Sequence, residues 1–99
     1  MRRVVVTGIG VVSPVGSGRE TFWRQLVAGA SGTSLVTLFD TSAMPVRIGG
    51  QVRDLDLSAV AERFPASARE RDRKVPLGLA AAAEAIDDAG LPPAGRGRP

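Results

Sequence analysis

Three sets of residues in this 99-residue sequence have a type and spacing that could do chemistry. Gly8, Gly10 and Gly16 follow the apolar run Val4–Val6, and glycines between a strand and a helix let backbone amides approach a pyrophosphate. Arg69, Arg71, Arg73 and Lys74 form a basic run that could engage an anionic partner. Asp40 and Asp54 are carboxylates of the kind that work as acid and base when paired. The chain has no Cys and no His, which removes thiol nucleophiles, disulfides, Cys-ligated zinc and the commonest general base and metal ligand. No metal site and no cofactor are expected.

Two of these sets lose their catalytic reading on inspection. After G-x-G the next glycine comes only at Gly16, Pro14 intervenes, and no acidic residue follows a second strand at the distance a dinucleotide ribose would need. The glycines are better read as letting a tight turn form at a layer interface. Asp40 and Asp54 have no identifiable partner and read as loop or cap carboxylates. The basic run is interspersed with Glu62, Glu70, Asp72, Glu84, Asp87 and Asp88, and none of the four aromatic residues interleaves with it. A net charge of +3 in that pattern argues against nucleic acid, whose recognition calls for stacking platforms.

Arg2 and Arg3 precede an apolar stretch, but Gly8, Gly10 and Pro14 interrupt it and no small-residue cleavage site ends it, so a signal peptide is not expected. No other apolar run reaches the length of a membrane span. A cytoplasmic protein with no membrane partner is the expectation.

The elements that would position these residues follow from local signals. Arg3–Thr7, with three consecutive Val residues, reads as a strand buried on both faces, as in a parallel or mixed sheet. Ser17-Gly18-Arg19-Glu20 fits a capping box, with the Ser17 hydroxyl on the Glu20 amide and the Glu20 carboxylate on the Ser17 amide. A helix to about Ala28 should end at Gly29, with Phe22, Leu26, Trp23 and Val27 on a wide buried face. Residues 30–43 read as an ordered loop anchored by Leu38 and Phe39.

Val46, Ile48, Gly50 and Val52 alternate with polar or small residues as in a half-exposed strand, and Gly49-Gly50 suggests a bulge or a close backbone neighbour. Asp56 should cap a short helix over Leu57–Phe64, stopped by Pro65. The last helix runs from roughly Lys74 to Ala89, with Asp72 as N-cap, Pro76 in its first turn and Gly90 as its exit. Gly78 inside it costs about 1 kcal/mol relative to Ala, which implies tight packing against something in the full protein.

Two or three helices with two candidate strands make an incomplete α/β layer, since a two-stranded sheet is marginal alone. A single small domain of this length buries roughly 60–65% of its unfolded surface. With four aromatic residues and much Gly and Ala, the core is thin.

The segments VVVTGIGVVSPVG, TFWRQLVAGASG, FDTSAMPVRIGGQV and DRKVPLGLAAAAEAIDDAGL, in this order and spacing, resemble the amino-terminal segment of β-ketoacyl-[acyl-carrier-protein] synthases. The elongating enzymes of fatty-acid synthesis and the polyketide ketosynthases are the nearest in pattern. The resemblance spans Arg3 to Leu91. It implies the front part of a thiolase-like fold of layered αβαβα type, with residues 1–91 belonging to the synthase domain and 92–99 forming a disordered Pro/Gly/Arg tail.

It also implies decarboxylative Claisen condensation on acyl carrier protein in a homodimer. A chain-length-factor subunit, which shares this opening and pairs with a ketosynthase, is the alternative. The family's catalytic Cys and His match no position here, so no catalytic residue is assigned. Basic residues ahead of the Ala-rich helix help dock the acidic carrier protein in this family. That role would fall on Arg69, with Arg71, Arg73 and Lys74 as weaker candidates. Pro76, where relatives more often continue the helix, and the tail PPAGRGRP depart from the pattern. The second departure suggests a truncated or frameshifted reading frame, or a deliberate cut.

Overall fold

The computed structural model describes residues 2–92; the tail predicted over 92–99 lies outside the described residues beyond Pro92. The chain forms two compact units, one of residues 2–11 with 56–92 and one of residues 12–55. Its elements are helix α1 (Arg19–Val27), strands β1 (Thr33–Leu35) and β2 (Ile48–Gly50), helix α2 (Leu57–Arg63), a 3-10 turn over Pro65–Arg69, and helix α3 (Lys74–Ala89). Among the described residues, no helix is long and apolar enough to cross a membrane.

In the first unit, α3 carries the architecture. It starts where Asp72 accepts the Lys74 amide (3.0 Å) and holds Pro76 in its first turn, where a missing N–H breaks no intrahelical bond. It ends at Gly90, whose φ of 70° is open to glycine at no steric cost. There the Gly90 amide donates to Asp87 O and the Leu91 amide to Ile86 O, a Schellman closure. Asp56 caps α2 by accepting from the Ser58 and Ala59 amides, and α2 packs on α3. These bounds agree with the sequence signals almost residue for residue, except that Arg73 and not Asp72 occupies the N-cap of α3, with Asp72 one residue further out and bonded to the first helical amide.

The extended segment before α3 in sequence lies along it. A methyl group placed on Gly10 would collide with the Ala81 carbonyl and stand 2.9 Å from Ala85 N. One on Gly8 would meet Ala85 O and come within 2.8 Å of Ala89 N. The Ile9 amide donates to Asp88 Oδ2 (3.0 Å) and the Val11 amide to Glu84 Oε1 (2.8 Å). Alternate residues of the segment thus meet residues four apart on α3, because two extended residues and four helical ones both advance about 6–7 Å.

The strand predicted over Arg3–Thr7 forms no ladder among the described residues. Val4, Val5 and Val6 are 95%, 72% and 81% exposed. The segment lies along α3 instead, where the Ile9 and Val11 amides donate to Asp88 and Glu84, and among the described residues its own unit holds no strand. Within this chain a methyl group on Gly78 would meet nothing within 4 Å.

In the second unit, Ser13 closes a turn by accepting the Val15 and Gly16 amides on its hydroxyl (3.2 Å each) and donating to Gly16 O (2.8 Å). Helix α1 ends at Gly29, with the Ala30 amide donating to Gln25 O. β1 and β2 pair antiparallel, Thr33 with Gly50 and Leu35 with Ile48. A β-carbon on Gly50 would lie 2.9 Å from Pro14 Cγ, so its close neighbour is a side chain rather than the bulge or backbone neighbour expected. Gln51 is buried and holds the chain after β1, accepting from the Thr37 and Leu38 amides and donating to Thr37 Oγ1.

Four expectations in this unit fail. Strand β1 lies inside the stretch predicted to be loop. The capping box does not form: α1 has no side-chain cap, Asp54 takes the Ser17 amide (2.8 Å), and the Ser17 hydroxyl is buried without a partner. Trp23 is 63% exposed, as are Leu26 and Val27 in large part, so the wide apolar face of α1 is not covered. Leu38 and Phe39 are exposed rather than anchored. For the capping box and β1 the decisive partner is distant in sequence, Asp54 for Ser17 and β2 for β1; for the apolar side chains the described residues provide no cover.

Gly10→Ala should therefore detach the extended segment from α3, and amide hydrogen exchange across Ala81–Ala89 should lose its protection. Gly78→Ala should slow exchange in α3 about 5-fold, as the roughly 1 kcal/mol gain in helix propensity dictates when the space is open.

Candidate functional site

The basic run predicted to dock an anionic partner lies where α2 passes through the 3-10 turn into α3. Pro65 fixes the start of that turn, and the buried Ser67 locks it: its hydroxyl donates to Phe64 O (2.7 Å) and its amide does the same (2.8 Å). Glu70 then adopts an extended conformation, with its amide on Ser67 O (3.1 Å). Arg69 closes the turn and Arg71 follows Glu70.

The four candidate residues are not equivalent. Arg69 and Arg71 are exposed, and neither has an ion-pair partner among the described residues. Lys74 is held by Asp72, with Nζ 3.2 Å from Oδ2. Arg73 is half-buried at the N-cap position of α3 and is engaged in an interaction of its own. The structure thus separates the run into two open cations and two that are locally occupied.

A further arginine, not singled out from the sequence, organises the corner. Arg63 makes a two-pronged contact with Asp87, Nη1 to Oδ2 at 2.8 Å and Nη2 to Oδ1 at 2.9 Å. Its guanidinium carbon stands 5.7 Å from the centre of the Phe64 ring. This pair ties the end of α2 to the last turns of α3. The hydrogen bond from Arg63 holds the Asp87 carboxyl below its ordinary value of 3.8, and the Arg63 charge adds to this. The signal for it in the sequence was weak, because the two residues lie in different helices.

The carboxylates considered for acid–base work hold backbone instead. Asp40 accepts the Ser42 amide (2.9 Å) and Asp54 the Ser17 amide, and each bond lowers the carboxyl pKa. Ser58 does the same for Asp56, mainly through its hydroxyl. The glycines Gly8 and Gly10 face the backbone of α3, a helix side and not a helix N-terminus, so they do not form a phosphate cradle.

With this geometry in place, comparison with known proteins decides the family. The family described as Beta-ketoacyl synthase, N-terminal domain, matches residues 1–98. This chain belongs to that family. It is 42% identical over 90 residues to 3-oxoacyl-[acyl-carrier-protein] synthase 2 of Coxiella burnetii, a match covering 91% of this chain and 21% of that protein. It is 40% identical over 94 residues to the alpha subunit of the tetracenomycin polyketide synthase ketoacyl synthase of Streptomyces glaucescens, covering 94% and 21%. The beta subunit of the same synthase is 42% identical over 91 residues, covering 91% and 22%. The chain therefore spans about a fifth of the length of the curated relatives it matches.

The lowered carboxyls set a pH response. A carboxylate whose folded pKa lies below its unfolded value stabilises the fold above the unfolded value and ceases to do so as pH falls through the folded one. Amide protection in α2 and α3 should hold from pH 7 to about 5 and fall progressively below about 4. Asp87→Asn should show weaker protection at neutral pH and a shallower acid decline; an unchanged decline would remove the Arg63–Asp87 pair from the account.

Proposed function

We propose that this chain is the amino-terminal part of a β-ketoacyl-[acyl-carrier-protein] synthase, with the thiolase-like layered fold, cytoplasmic location and dimeric parent that the family implies. The observation that carries the reading is the match of the family over residues 1–98. In the parent reaction an acyl group moves from carrier-protein thioester to a cysteine thiolate. A malonyl thioester then loses CO2, and the resulting carbanion attacks the acyl thioester, expelling the thiolate. The nucleophile and the imidazoles that assist it have no counterpart among these 99 residues, which contain no Cys and no His. The part of the function that this chain carries is carrier-protein docking, through Arg69 and Arg71, with Arg73 and Lys74 in support.

A second reading has its own support, because the chain is as similar to a ketoacyl synthase beta subunit as to its alpha counterpart. On that reading the parent is a chain-length-factor partner of a ketosynthase, lacking the cysteine. The presence or absence of a catalytic cysteine in the parent protein separates the two.

The purified chain should form no β-ketoacyl product from acyl- and malonyl-carrier protein, and turnover above blank would overturn that. It should bind apo acyl carrier protein with an affinity that falls steeply with salt. Arg69→Glu combined with Arg71→Glu should weaken that binding by about tenfold or more and flatten its salt dependence, since exposed charges act mainly on encounter and orientation.

A further inference from the structure

We draw no further inference here: the strongest candidate, the exposed apolar run Val4–Val6 in the extended segment that lies along α3, is an unpartnered face, and nothing in the structure shows what covers it.

Discussion

Close approach between the Gly8–Gly10 backbone and the Ala81, Ala85 and Ala89 side of α3 is the constraint on which the first unit depends. Only residues without a β-carbon permit it on one side, and the run of alanines keeps the other side low. The approach then brings backbone amides within reach of the helix's own carboxylates. Asp88 and Glu84 accept from Ile9 and Val11, so an extended segment with no strand beside it still has two of its donors satisfied.

That arrangement also explains an apparent electrostatic fault. Asp87 and Asp88 occupy the last turn of α3, where the helix dipole makes a negative charge unfavourable, and no basic residue accompanies them there. Each carboxylate finds a tertiary donor instead: Asp88 accepts from the Ile9 amide and Asp87 from the two prongs of Arg63. These bonds are solvent-exposed, so water screens them and each is weak. The acidic turn is thus maintained by tertiary partners, one gripping the amino-terminal segment and the other gripping α2.

Legibility in the sequence follows the distance over which each choice is decided. The bounds of α3, the Asp56 cap and the glycine exits at Gly29 and Gly90 were readable, because each is settled by atoms within five residues. The capping box was a correct local pattern that lost to Asp54, thirty-seven positions away from Ser17. β1 escaped notice because Thr33–Leu35 is short and has no alternation of its own; its pairing with β2 defines it. Trp23 and the Val4–Val6 run were read correctly as surfaces that want cover, but the described residues provide none. At the basic run, sequence put Arg69 first and left Arg71, Arg73 and Lys74 level, since Asp72 lies within two positions of all three and only the folded chain shows that it holds Lys74.

The ranking matters for how the corner can act. At physiological ionic strength a charge is screened over about 8 Å, so a diffuse basic surface would attract an acidic partner only weakly and without preferred orientation. Here two neighbouring ions are occupied by their own chain, and the open charge is concentrated on Arg69 and Arg71, one on each side of the extended Glu70. Two neighbouring cations favour a partner that presents more than one carboxylate. Such a pair sets the direction of an incoming partner but leaves it free to roll about the line joining them.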